Sequence, residues 1–116
     1  MVSDKKTIGI TRANAAALSY LVEVGKFGSE LDAAKFAMSY AISNGVKTGS
    51  AESAETKWNV GTVDSDGSLR SLMEALFPGE AESYRLIEHL MNVGIKMLSD
   101  ALNGKDDFYD ILFPNQ

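Results

Sequence analysis

Between Thr7 and Thr11 polar and apolar residues alternate with a period of two, which predicts a strand with Ile8 and Ile10 on one face. A lone strand cannot satisfy its own backbone, and no second strand lies within hairpin reach, so its partner must come from elsewhere. The pattern then changes to a helical one. Leu18, Leu21, Val22 and Gly25 recur at i, i+3, i+4 and i+7, predicting a helix over 14–24 with Gly25 as its stop. Gly28-Ser29 offers an N-cap, and Asp32 follows where the helix dipole favours a carboxylate. The second helix is expected over 30–43, with Leu31, Ala34, Met38, Ala41 and Ile42 inward and Asn44-Gly45 as its end. Phe36 and Tyr40 lie one turn apart on a second face, so this helix is expected to touch structure on two sides.

Residues 46–57 are rich in Gly, Ser, Thr and Glu and read as a loop or linker. Trp58 to Val63 reads as a short strand or an ordered extended segment. Asp64-Ser65-Asp66-Gly67-Ser68 is turn chemistry, with Asp66 or Ser68 placed to cap a helix over 69–77. That helix is expected to turn Leu69, Leu72, Met73 and Leu76 inward and to close at Pro78-Gly79. A long helix over 81–102 carries Tyr84, Ile87, Leu90, Met91, Gly94, Leu98 and Ala101 as one apolar stripe, stopped by Asn103-Gly104. The segment Phe108 to Phe113 is apolar enough that docking on a core or subunit surface is expected.

Charge refines this picture. Residues 1–50 hold six basic and four acidic residues, whereas 51–116 hold five basic and twelve acidic ones. An anionic partner would therefore meet the first half. The net charge of −5 argues against a general nucleic-acid binder. With no cysteine, disulfides and thiolate metal sites are excluded. Apolar runs are broken by charge every few residues, so no membrane span is expected. The lysines at the start lack the apolar run of a secretory signal, and a cytoplasmic protein is expected.

Candidate chemistry is thin. His89 is the only histidine, beside Glu88 and one turn from Arg85, and reads as a solvated or hydrogen-bonded helical residue rather than a base or ligand. Asp64-x-Asp66-Gly67 suggests a calcium loop, but placing Gly67 sixth puts Thr62 first and Met73 twelfth, neither of which fits. Gly61, Gly67 and Gly79 lack phosphate-loop spacing, and no serine sits in a nucleophile elbow. No catalytic residue, metal ligand or cofactor is assigned.

The order strand, helix, glycine-containing turn, helix resembles the ribbon-helix-helix family over residues 5–44, about a third of the chain. Its carriers are Lys6-Thr7-Ile8-Gly9-Ile10-Thr11-Arg12, then Gly25-Lys26-Phe27-Gly28-Ser29-Glu30-Leu31, then Ala33 to Met38. The resemblance implies a homodimer in which two chains pair their strands antiparallel and four helices close a shared core. Ile8, Ile10, Leu18, Leu21, Leu31, Ala34 and Met38 would form that core. Thr7, Gly9 and Thr11 would face the DNA major groove, with Lys5 and Lys6 on phosphates and the Gly28-Ser29 amides clamping another. Gly9 departs from the pattern, because it offers no side chain to read a base, and Glu30 and Asp32 put negative charge near the clamp. Arg12 alternates inward, where it would bridge to an acidic residue. With Asn59-Val60-Gly61-Thr62 and further helices, the layout also resembles the small helical subunit of bacterial DNA phosphorothioation systems.

The expected architecture is thus mainly α, a ribbon-helix-helix-like dimer with a helical C-terminal extension. Residues 1–45 would be the dimerisation unit, 46–57 a linker, and 58–116 a helical extension packed on it. Two functions fit: a small DNA-associated regulator or antitoxin-like factor, or an adaptor that keeps the dimer core and binds a protein partner through its acidic C-terminal half. Neither requires enzymatic chemistry.

Overall fold

The computed structural model describes residues 4–103. In chain order these form β1 (Thr7–Thr11), α1 (Arg12–Gly25), α2 (Glu30–Ser43), β2 (Ala54–Asn59), a single helical turn α3 (Val60–Val63), α4 (Ser68–Leu76) and α5 (Ser83–Leu102). The expected dock of Phe108 to Phe113 lies outside the described residues. Every element contributes to one hydrophobic cluster, whose centre is α5. Leu86, Ile87, Leu90, Met91, Ile95 and Leu98 are all buried, so this helix is covered on most of its circumference. At about 2 kcal/mol per fully buried aliphatic side chain, it is the largest single source of burial in the fold.

The main helical contact is α2 against α5. Small residues on α2, among them Ala33, Ala34, Ala37 and Ala41, are fully buried and let the two backbones come close. Gly94 answers them from α5, where a Cβ would collide with the Ala37 carbonyl. Of the stripe expected on α2, Ala34, Met38 and Ala41 are buried, but Leu31 and Ile42 are only half-buried, and the buried face shifts to take in Ala33 and Ala37.

Thr11 is both the last residue of β1 and the N-cap of α1, its hydroxyl accepting the Asn14 amide, so no loop separates them. At the other end Lys26, not Gly25, takes the left-handed conformation, with φ of 56°. Gly25 instead makes room for the Phe27 ring, which packs on Phe36 with centroids 5.4 Å apart. Ser29 caps α2 by accepting the Asp32 amide at 3.1 Å, as its position implied.

The partner of β1 lies in the same chain, which corrects the expected pairing between chains. β2 runs antiparallel to β1, pairing Thr7 with Asn59, Ile8 with Trp58, Gly9 with Thr56, Ile10 with Glu55 and Thr11 with Ala54. Residues 54–57, expected within a linker, are therefore strand, and the expected extended segment from Trp58 ends at Asn59 and becomes the turn α3. The register skips Lys57, a bulge that bends β2 across β1. Gly9 sits under this crossing. A Cβ there would lie 2.7 Å from the Glu55 carbonyl oxygen. The glycine that looked like a blank readout position is thus a packing requirement, and Gly9 is buried rather than outward-facing.

Ile8 and Ile10 are buried as expected, together with Leu18, Leu21, Ala34 and Met38, but the core they enter is this chain's own. On α4 the expectation fails in part. Met73 is buried and Leu69 half-buried, whereas Leu72 and Leu76 are 41% and 47% exposed. The four apolar positions span an arc of about 100° on the helix, and only one edge of that arc meets α5.

Candidate functional site

The far edge of β1 meets a strip of buried polar side chains on α5. Glu88 is 1% exposed, and its Oε2 accepts the Gly9 amide at 2.7 Å and the Lys5 ammonium at 2.9 Å. One turn on, Asn92 donates from Nδ2 to the Gly9 carbonyl at 3.0 Å and the Glu88 carbonyl at 2.8 Å. Its Oδ1 accepts the Thr11 amide at 2.9 Å and Asn14 Nδ2 at 3.1 Å. Two side chains of one helix thus stand where a third strand would. With β2 on its other side, β1 has no open edge for a second chain.

Two further carboxylates act as helix caps from outside the N-cap position, one of them from the far end of the sequence. Asp4 accepts the amides of Tyr84 and Arg85 at 2.8 and 3.1 Å, capping α5, whose own N-cap residue Glu82 makes no such bond. Asp64 accepts the amides of Leu69 and Arg70 at 2.9 and 3.0 Å, and the Tyr84 hydroxyl at 2.9 Å. Burial pushes the Tyr84 hydroxyl above its ordinary pKa, and donation to the Asp64 carboxylate adds to the effect. Hydrogen bonds from the Ser68 hydroxyl and amide hold the Asp66 carboxyl below its ordinary range. Asp66 does accept the Ser68 amide, at 3.0 Å, but the principal cap of α4 is Asp64. These acidic groups hold helix ends in place, and Asp64 also ties α4 to the Tyr84 hydroxyl of α5.

The residues expected at a DNA surface are not gathered into one. Lys5 turns inward to Glu88, and Gly9 is buried. The Thr7 hydroxyl lies 3.3 Å from that of Thr56 across the ribbon, and Thr11 is occupied with α1. Lys6 is exposed. Gly28 and Ser29 are exposed too, but the Asp32 carboxylate lies beside Gly28, against an incoming phosphate. Neighbouring cations are matched: Arg12 pairs with Glu55 at 2.9 Å and Lys57 with Glu30 at 2.8 Å. The hydrogen bond from Lys57 holds the Glu30 carboxyl below its ordinary range. Such exposed pairs add little stability, but they cancel much of the field that an anionic backbone would sense.

The least satisfied surface lies on α4. Leu72 and Leu76 are one turn apart on its outer side, while Arg70 and Glu74 pair with each other at 3.5 Å elsewhere on the helix. Directly after the helix, Thr48, Phe77, Pro78, Gly79 and Glu80 line a cleft of about 260 Å³. Among the described residues the other large exposed apolar side chain is Tyr20, on α1. His89 Nε2 lies 3.1 Å from the Lys47 carbonyl oxygen, which can only accept, so this nitrogen carries the proton. Among the described residues no three His, Cys, Asp or Glu side chains are grouped to hold a metal ion, and no helix is long and apolar enough to cross a membrane. No protein-family model, curated protein or solved structure matches the chain.

The α4 surface was missed because leucine spacing alone cannot tell which edge of an apolar arc finds a neighbour. The one available signal was length: four large apolar residues crowd a helix of 9 residues that follows and precedes turn sequence.

Proposed function

We propose that this chain is a non-enzymatic assembly subunit that binds a partner protein, with the outer stripe of α4 receiving an apolar helix face. The observation that carries this reading is the exposure of Leu72 and Leu76 together on a short, strongly two-sided helix. Isolated exposed leucines are ordinary, but two in register beside a cleft lined by Phe77 and Pro78 make an anchor site. The test is a photo-crosslinking residue at Ser71, beside the stripe, with Ser39 on the exposed side of α2 as control. The expected result in the native host is a discrete adduct from position 71 alone, abolished by Leu72→Asp with Leu76→Asp. Because both leucines are half out of water, the double variant should melt within a few degrees of the native chain. Equal labelling from both positions, or an adduct indifferent to the aspartates, would count against α4 as the interface.

A second reading has its own observation. Lys6 and Thr56 of the two-stranded ribbon are exposed, with Thr7 half-buried beside Thr56, and a ribbon of this kind fits the DNA major groove. On this reading affinity for mixed duplex DNA falls steeply with salt, and Lys6→Ala lowers both affinity and salt slope. Lys6 is the informative position, since Lys5 is tied to Glu88. Failure to bind at low salt removes this reading and leaves the protein-docking one.

A further inference from the structure

The strip on α5 that replaces a third strand also sets the polarity of a groove beside it. This groove, about 360 Å³, runs between the start of α1, the 50–51 segment and the outer face of α5. Val93, Met97, His89, Ala51 and Asn14 line it, as do Lys96 and Asp100, which pair with each other at 3.0 Å. The volume is at the lower end of the range for small-molecule sites.

Backbone groups dictate which atom Asn14 shows to the groove. The Gly9 and Glu88 carbonyls can only accept, so they hold Asn92 with Nδ2 toward them. Asn92 Oδ1 therefore faces the Thr11 amide and Asn14. Asn14 in turn must direct its Nδ2 at Asn92, where it donates to both Oδ1 and the main-chain carbonyl at 3.1 Å. What remains is Asn14 Oδ1, on a side chain 8% exposed, with no hydrogen-bond partner among the described residues. Neither asparagine can flip without breaking bonds to main-chain groups. Asn14, which lines the groove from the first turn of α1, thus carries a fixed acceptor with no hydrogen-bond partner among the described residues.

We propose that this groove binds a planar aromatic heterocycle bearing an exocyclic amine, the chemistry of adenine or cytosine. The amine donates to Asn14 Oδ1, which a ring carbonyl at the same position would repel. The flat face lies on Val93 and the Met97 thioether, a side chain that adapts readily to aromatic surfaces. The His89 ring is held by its bond to the Lys47 carbonyl, and Gly49 lies so close that a Cβ there would come within 2.8 Å of it. The wall of the groove is therefore pre-formed. This site is separate from α4 and stands or falls independently of the docking reading.

The native chain, titrated with nucleosides and followed by amide and side-chain NMR, tests it. Adenosine and cytidine should shift the Asn14 side-chain amide and the Val93 and Met97 backbone signals. Inosine and uridine, which carry a carbonyl in place of the amine, should bind at least about tenfold more weakly, the worth of one buried hydrogen bond. Ala51→Phe should fill the groove and abolish the shifts without lowering the melting temperature. Absence of shifts with all four nucleosides at roughly 10 mM, well above a weak millimolar Kd, would overturn the proposal. Equal affinity for adenosine and inosine, or shifts centred on other residues, would do the same, and neither depends on the variant folding.

Discussion

Replacing Asn92 with alanine is expected to lower stability by roughly 3–5 kcal/mol, out of the 5–15 typical of a domain this size. The side chain makes four hydrogen bonds, all inside the protein. Without it the Gly9 carbonyl and the Thr11 amide face a gap between β1 and α5, with no second strand to take them. A buried backbone group left unpaired costs about 1–3 kcal/mol, so two of them dominate the loss. With a urea slope of about 1.5 kcal/mol/M, the unfolding midpoint should fall by roughly 2–3 M. Asn92→Asp should do no better, since it sets a carboxylate oxygen against the Gly9 carbonyl. Neighbouring Glu88 would still hold the Gly9 amide, so the damage should centre on Gly9 and Thr11. A midpoint change under about 0.5 M would mean that β1 is held by β2 alone.

Gly94→Ala is the second large effect. The added methyl meets the Ala37 main chain, which is part of a helix and cannot rotate aside as a side-chain tip would. α2 and α5 must separate, and the methyls of Ala33, Ala34 and Ala41 lose contact along with it. Overpacking of this kind costs roughly 3 kcal/mol, expected as a melting temperature lower by about 10 °C or more. Gly61→Ala and Gly79→Ala are matched controls, because a Cβ at either position meets nothing within 4 Å. They should leave the melt within a few degrees. Similar effects at all three positions would argue against close packing as the cause.

Much of the helical structure was legible in the chain. α2 occupies the expected 30–43, its Ser29 cap is in place, and α1 and α5 differ from expectation only at their ends. These elements carry their signals locally, as apolar spacing near 3.6 and as capping residues beside the helix they cap. β2 was not legible. Glu55, Thr56 and Lys57 are exposed in succession, so the alternation that marks a half-buried strand is missing, and the bulge removes what remains. The cap of α5 was hidden for another reason. Asp4 lies 80 residues from the Tyr84 amide it accepts, and no local motif records that distance.

The polar strip shows where sequence reading reaches its limit. Glu88 and Asn92 sit among Ile87, Leu90 and Met91 on a helix already buried on most sides, where periodicity would put charged residues in water. Their burial makes sense only once the open edge of β1 is laid against them.

By itself, the sequence determined a short strand with Ile8 and Ile10 on one side and in need of a partner, and the four longer helices α1, α2, α4 and α5. Those follow from residue spacing and from the rule that backbone groups must be paired. Only the tertiary structure decided who the partner is. An unpaired amide is satisfied equally well by another chain, by β2, or by Glu88 and Asn92, and the choice depends on which groups the packed helices bring within 3 Å. That choice gave Gly9 its close strand crossing, left Asn14 with one free acceptor, and put Leu72 and Leu76 on the outside.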